Sequence, residues 1–176
     1  MTVKRRHIAI PALALITALT LAAGCSTNDP TDKDEPLQTA ILAEITQQVT
    51  ADADNVAGAA GTELINWKTT PTPCMGANGE FADDDRWYLT AGGNLKVAPP
   101  DQAAALQRIK ASLEEQGWEI TDNSTFADGT RGNLDATNPT TRHVATITTT
   151  MDLQHVTVSI SSPCYMPAPG ENPLKG

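Results

Sequence analysis

The sequence has few aromatic residues and few cysteines, and it lacks the short motifs that mark common catalytic and cofactor sites. Phe, Tyr and Trp make up 4% of the 176 residues, and there are three cysteines. No Gly-rich phosphate loop, Gly-x-Ser-x-Gly turn, zincin motif or paired-cysteine zinc pattern is present. The core must therefore come mainly from aliphatic residues, and the sequence predicts no catalytic residue, no metal and no cofactor.

The N-terminal segment has the pattern of a bacterial export signal. A basic stretch at Lys4–Arg6 precedes an apolar run from Ile8 to Ala23. That run is about 16 residues long, shorter than the roughly 20 that cross a bilayer as a helix. The pattern predicts a cleaved signal peptide over residues 1–24.

The stretch Leu21–Cys25 resembles the bacterial lipobox. In that family the cysteine takes a diacylglyceryl group and becomes the first residue of the mature protein. The family most often has Leu three residues before the cysteine, where this chain has Ala22. An ordinary signal with an incidental cysteine is the alternative. The resemblance implies lipidation of Cys25, a lipid anchor in the cell membrane outside the cytoplasm, and a polar tether over residues 25–35.

Acidic residues outnumber basic ones, with 21 Asp and Glu against 12 Lys and Arg and a net charge of −9. Removal of the signal would remove Lys4, Arg5 and Arg6 and no acid, which makes the mature net charge −12. Such a surface disfavours nucleic acid and anionic lipid headgroups. We therefore expect no nucleic-acid partner, and a membrane association that depends on the lipid at Cys25.

Two cysteines, Cys74 and Cys164, remain once Cys25 is lipidated. An exported protein meets oxidising conditions, in which two thiols allow a single intramolecular pairing. Closing a loop of about 90 residues stabilises a fold by about 4–5 kcal/mol in the chain-entropy model. A metal or catalytic thiol is the alternative, but neighbouring ligands at metal-binding spacing are missing. We predict a disulfide between Cys74 and Cys164.

Apolar periodicity predicts two helices. The first runs from Pro36 to Ala60, with Asp34 as its cap and a four-residue stripe formed by Leu37, Ile41, Ile45 and Val49. The second opens at Pro99–Asp101 and ends at Gly117, with one face formed by Leu106, Ile109 and Leu113. Packing on a sheet is the favoured use of both faces, and partner binding is the alternative for the first.

Alternation predicts about five strands. Three are short: Glu63–Thr70, Arg86–Thr90 (resumed at Asn94–Val97 after Gly92-Gly93) and Trp118–Thr121, with Phe126 as an extension. Residues Pro71–Asp85 and Asp128–Thr140 are predicted as loops, because they are rich in turn-forming residues.

The last two strands, Arg142–Thr150 and His155–Ser161, fit one antiparallel register. In that register Ala145, Ile147 and Thr149 face Ile160, Val158 and Val156, and the opposite side is rich in hydroxyls. The sequence therefore predicts an α+β fold over residues 36–176, with an antiparallel sheet, two helices on one face and one disulfide.

Other candidate sites are better explained as structure. His143 and His155 would lie at opposite ends of the final hairpin, too far apart for a shared metal. The acidic residues Glu80 and Asp83–Asp85 are mostly consecutive, which fits a solvated loop better than a calcium site. Trp67 and Trp87 could line a lipid or glycan pocket, but are predicted as core.

The layout resembles the LppA-like group of small mycobacterial and actinobacterial lipoproteins. The resemblance rests on the lipobox, Trp67 shortly before Cys74, the Leu-x-x-x-Gly-Trp helix end at Leu113–Trp118 and the strand Val158–Cys164. It implies a place in the cell envelope and no particular reaction. We expect a non-enzymatic binding or envelope-interaction domain with a protein or glycolipid partner; a lipid or glycolipid carrier and an envelope enzyme without a recognisable motif are the alternatives.

Overall fold

The computed structural model describes residues 37–76 and 79–175, which contain two helices and a six-stranded antiparallel sheet. The helices are α1 (Leu42–Ala60) and α2 (Gln102–Glu115). The strands are β1 (Thr39–Ala40), β2 (Leu64–Pro73), β3 (Trp87–Leu95), β4 (Glu119–Thr125), β5 (Gly132–Thr137), β6 (Val144–Thr149), β7 (Val156–Ser161) and β8 (Met166–Pro167). The α+β prediction is confirmed.

The sheet has the strand order β2-β3-β7-β6-β5-β4, and all its neighbouring strands are antiparallel. Helix α1 packs on β2, β3 and β7, whereas α2 packs on β4 and β5, and the two helices contact each other. A single core cluster of aliphatic side chains and buried tryptophans fills the space between the helices and the sheet. The outer face of the sheet carries hydroxyl and amide side chains.

The predicted register of the final hairpin is confirmed. Ala145 pairs with Ile160, Ile147 with Val158 and Thr149 with Val156. These side chains are buried on the helix-facing side, while Thr146, Thr148, Thr157 and Ser159 lie on the outer side with partial or full exposure. A shift by one residue would exchange the two sets, so burial of one face determines the register.

Strand β5 lies where a loop was predicted, and that prediction is wrong. The strand is held between β4 and β6, and its Leu134 and Ala136 are fully buried. Its outward residues Asn133 and Asp135 are types that are depleted in strands, which concealed the alternation. They are accommodated because the Asn133 Nδ2 atom donates to the Asp135 carboxylate at 2.9 Å.

Strands β2 and β3 are longer than predicted. β2 runs on to Pro73, which an edge strand tolerates because its outer N–H groups need no partner in the sheet. β3 passes through Gly92-Gly93 without a break. A Cβ atom on Gly93 would lie 3.0 Å from Trp67 Cε3, so this glycine leaves room for the indole to lie over the strand.

Helix α1 begins at Leu42 and not near Pro36, because Thr39–Ala40 pair instead with Met166–Pro167 as a short parallel bridge. The Leu42 N–H donates to the Glu171 carboxylate at 3.1 Å, so the helix start is capped from the C-terminal segment. The predicted cap, Asp34, lies outside the described residues.

Helix α2 follows a short 3₁₀ turn at Pro99–Asp101 and ends at Glu115, and the predicted cap residue Gly117 follows it with φ 82°. The Gly117 and Trp118 N–H groups donate to the carbonyls of Glu114 and Leu113, the bonds of a Schellman motif. Arg108 on α2 donates to the carbonyls of Ala59 and Ala60 at 3.3 and 2.8 Å, and so caps the end of α1.

The predicted disulfide between Cys74 and Cys164 is present, with a Cα–Cα distance of 6.2 Å. It joins the end of β2 to the segment that follows β7.

Within residues 37–76 and 79–175, neither helix combines the length and apolar character that a membrane span requires.

Candidate functional site

The solvent side of α1 borders an open apolar groove, which we call the α1 groove. It has a volume of about 750 Å³. Its lining consists of Leu42, Ala43, Thr46, Gln47, Thr50, Ala51, Asp54 and Glu171. Short side chains recur along one flank of the helix, at Ala43, Thr46, Thr50 and Ala51.

The α1 groove has Leu42, Ala43 and Ala51 as its apolar residues and an acidic residue at each end. Asp54 lies at the C-terminal end, and Glu171 lies at the N-terminal end, where it caps Leu42. Beside the middle, the Trp67 indole N–H donates to the Thr50 hydroxyl at 3.3 Å, which ties α1 to β2. Trp67 is half-buried and packs against the hydrophobic core.

A second concavity, which we call the polar cleft, lies beside the first turns of α1. It has a volume of about 290 Å³. Its lining consists of Gln38, Thr39, Ala40, Glu44, Ile45, Gln48, Thr140, Thr141, Arg142, Pro163 and Tyr165. Four parts of the chain therefore meet there: the segment around β1, α1, the loop before β6 and the segment on either side of Cys164.

Arg142 is the main cationic group of the polar cleft. Its backbone has φ 59°, a left-handed conformation that costs energy for a residue with a Cβ atom. The loop holds it there: the Arg142 N–H donates to the Asn138 carbonyl at 2.7 Å, and the Asn138 side chain accepts from the N–H groups of Thr140 and Thr141.

Tyr165 forms a buried wall of the cleft. Its exposed fraction is 6%, and its ring lies 5.7 Å from the ring of Trp87. Burial raises the pKa of the Tyr165 phenol, and the nearby guanidinium of Arg142 acts in the opposite direction. The phenol therefore stays protonated at neutral pH and can donate a hydrogen bond.

His143, the residue after Arg142, forms a buried polar contact with α1. Its Nδ1 lies 2.6 Å from Asp52 Oδ2, and no part of the imidazole is exposed. Its Nε2 atom is buried and has no hydrogen-bond partner. Since the carboxylate can only accept, Nδ1 carries the hydrogen, and the pair fixes α1 to the start of β6. With no exposure, this imidazole cannot reach a substrate.

The remaining predicted site residues are dispersed. The lipidation candidate, Cys25, lies outside the described residues. His143 and His155 lie at opposite ends of the final hairpin, as the register predicts. Within the described part of the chain, no group of three or more His, Cys, Asp or Glu residues is arranged to hold a metal ion.

The acidic loop and the tryptophans have structural roles. Asp84 binds Arg86 at 2.6 Å, and this hydrogen bond lowers the pKa of the Asp84 carboxyl. Trp87 is fully buried in the core, as predicted. Phe81 and Met75 pair across the loop and remain largely exposed.

No protein-family model matches this chain, and no curated protein is similar enough to be matched. The support for the candidate sites therefore comes from the structure of this chain. Sequence reasoning missed the α1 groove and the polar cleft. Ala43 and Ala51 were a possible signal, because they place small residues on the solvent flank of an otherwise amphipathic helix.

Proposed function

We propose that this chain is a lipid-anchored envelope protein whose domain binds a partner protein, without catalysis, in the α1 groove. The observation that carries the proposal is the apolar, solvent-open groove of about 750 Å³ along a helix that is otherwise amphipathic. Exposed apolar surface that is concave and rimmed by polar groups is typical of binding sites.

The groove fits a helical segment that carries both apolar and basic residues. Its floor of Leu42, Ala43 and Ala51 offers contact area, and Asp54 and Glu171 offer negative charge at the two ends. An acidic domain attracts a basic partner and accelerates its association. The groove is long enough for about three turns of helix, since its lining spans Leu42 to Asp54 at about 1.5 Å per residue.

The anchor is proposed on the lipobox. A diacylglyceryl group on Cys25 would hold the protein to the membrane, and the tether over residues 25–35 would connect it to β1. The same motifs support the proposal that the chain is a small lipoprotein of the LppA-like group.

Lipid carriage is the second candidate, because an open apolar groove can also receive an acyl chain. The lining also contains three polar side chains and acidic ends, which argue for a peptide instead; the polar residues are Thr46, Gln47 and Thr50.

An enzyme is less well supported, since His143 is inaccessible and the Ser162 hydroxyl accepts from the Leu89 N–H and donates to the Pro163 carbonyl.

A designed peptide tests the groove. The probe is a helical peptide of about 14 residues with leucines along one face and lysines elsewhere, titrated against isotope-labelled protein. We expect binding in the range of about 10–100 µM, with amide shifts concentrated between Leu42 and Asp54. Ala51→Glu should weaken binding about tenfold, because it fills the groove. Ala111→Glu, the same change at an exposed position of α2, should leave binding unchanged.

The choice of glutamate separates the groove from simple charge attraction. Ala51→Glu adds negative charge, so a peptide held only by charge would bind the variant more tightly, and that result would contradict the proposal.

Co-purifying lipid in native mass spectra would favour the carrier instead. Cys25→Ala should release the protein from membranes or block its processing; a mature, membrane-bound Cys25→Ala protein would contradict the anchor.

A further inference from the structure

We infer that the polar cleft is a second binding site, separate from the α1 groove, for a small zwitterion that carries an oxyanion and an ammonium group. Arg142 would hold the oxyanion and Glu44 the ammonium. The inference rests on two opposite charges that face one cleft without pairing, on the strained backbone that presents one of them, and on the size of the cleft.

Arg142 differs from the other arginines in the described part of the chain. Arg86 and Arg131 pair with Asp84 and Asp128, and Arg108 caps α1. Arg142 makes no ion pair and no side-chain hydrogen bond with any described residue. In a chain with a large excess of acids, a guanidinium left without a carboxylate is unexpected.

Glu44 is the anionic counterpart. It lines the same cleft, one turn before Gln48, and its carboxylate makes no ion pair or hydrogen bond with a described residue. Arg142 and Glu44 form no ion pair with each other. Their separation leaves one donor fork and one acceptor facing the same space.

Neither charge alone selects a simple ion. Glu44 and the acidic surface repel a purely anionic ligand, and Arg142 repels a purely cationic one. A molecule that carries both charges satisfies both groups, so the arrangement discriminates by repulsion as well as by attraction. Gln48, the Thr141 hydroxyl and the Tyr165 phenol line the same space and can add hydrogen bonds.

The backbone at Arg142 supports a binding role. The left-handed conformation is unfavourable for arginine, and Asn or Gly would adopt it at lower cost. The hydrogen bonds that the Asn138 side chain accepts from the loop N–H groups hold the loop, so the strain is maintained by its surroundings. Such strain concentrates at binding and catalytic sites.

The volume limits the ligand to a small one. About 290 Å³ is at the lower end of the range for small-molecule pockets. Two sources share the required chemistry: an amino acid or peptide end, with carboxylate and ammonium, and a phosphoethanolamine lipid headgroup, with phosphate and ammonium. The probes below distinguish them.

The experiment uses the full-length chain in a non-ionic detergent and follows backbone amide shifts of the cleft residues. The probes are glycine, glycerophosphoethanolamine, inorganic phosphate and ethanolamine. We expect one of the two zwitterions to bind at least tenfold more tightly than phosphate or ethanolamine, and the tighter one identifies the source. Ala51→Glu, which fills the α1 groove, should not change zwitterion binding. The cleft and the α1 groove are therefore tested independently of each other.

Two variants assign the charges. Arg142→Asn, which suits the left-handed backbone, should weaken zwitterion binding at least tenfold without lowering the unfolding temperature. Glu44→Gln should weaken the zwitterion about tenfold and strengthen inorganic phosphate, because it removes repulsion. Arg86→Gln, at an arginine that lies outside the cleft and pairs with Asp84, is the control and should change neither.

Three results would overturn the inference. The first is that no probe shifts the cleft amides at about 10 mM. The second is that inorganic phosphate binds as tightly as the zwitterions and Glu44→Gln leaves it unchanged, which would make the cleft a plain anion site. The third is an equal loss of binding in Arg86→Gln, which would place the interaction elsewhere.

Discussion

The two halves of the sheet are covered by helices in the same manner but differ in their polar chemistry. In the α1 half, α1 packs on β2, β3 and β7; in the α2 half, α2 packs on β4 and β5. The α1 half holds the disulfide, the Asp52–His143 contact, the α1 groove and the polar cleft. The α2 half is mainly an aliphatic layer with solvated turns.

Both halves supply core packing, so the difference lies in their surfaces and cross-links. Ile109 and Leu134 are fully buried in the α2 half, and Val49, Trp87 and Leu89 are fully buried in the α1 half. The α1 half also carries two concavities, the α1 groove and the polar cleft. The disulfide and the Asp52–His143 contact lie in the same half, and neither depends on apolar burial.

Loss of the disulfide should have the largest effect on stability. It tests whether the α1 half depends on its covalent cross-link. In Cys74→Ser with Cys164→Ser, the unfolded chain regains the freedom of a loop with a sequence separation of 90. We expect the free energy of unfolding to fall by about 4 kcal/mol in denaturant titrations, less if the unfolded chain retains structure. The unchanged protein in reducing agent is the control and should show the same loss. A change of under about 1 kcal/mol would mean that the α1 half does not depend on its disulfide.

Removal of the Asp52 carboxylate should have the next largest effect. Asp52→Ala leaves His143 Nδ1 buried without an acceptor, which costs about 2 kcal/mol. Asp54→Ala, an exposed aspartate two residues later on the same helix, is the matched control and should cost less than about 0.5 kcal/mol. Thermal unfolding measures both. Equal effects would show that the buried contact contributes no more than an exposed side chain.

The smallest effect is expected in the α2 half, at the turn between β4 and β5. The Arg131 N–H and then its guanidinium hold the pKa of the Asp128 carboxyl well below its usual range. A lowered folded-state pKa gives stability that is present above about pH 4 and is lost as the pH falls further. Asp128→Asn should therefore be slightly less stable than the unchanged protein at pH 7, with a difference that shrinks below pH 4. A difference that grows on acidification would reverse the assigned sign.

Sequence reasoning was most successful where one face of an element is buried and alternation is regular. Ile147 and Val158 could be paired from the alternation alone, because a one-residue slip would expose both. It failed at β5, where Asn133 and Asp135 are accommodated by strand pairing on both sides and by the hydrogen bond between their side chains. It also extended α1 too far, since pairing of Thr39–Ala40 with a segment about 127 positions away is not a local property.

By itself, the sequence determined the α+β class, the final hairpin and the Cys74–Cys164 pairing, and it predicts the lipid anchor at Cys25. These features depend on local periodicity, on a short motif or on a count of thiols. Only the tertiary structure brought Glu44, Arg142 and Tyr165 to one cleft and set Asp52 against His143. These contacts join residues that are far apart in the sequence. They depend on how the helices and loops pack on the sheet, which no local sequence pattern specifies.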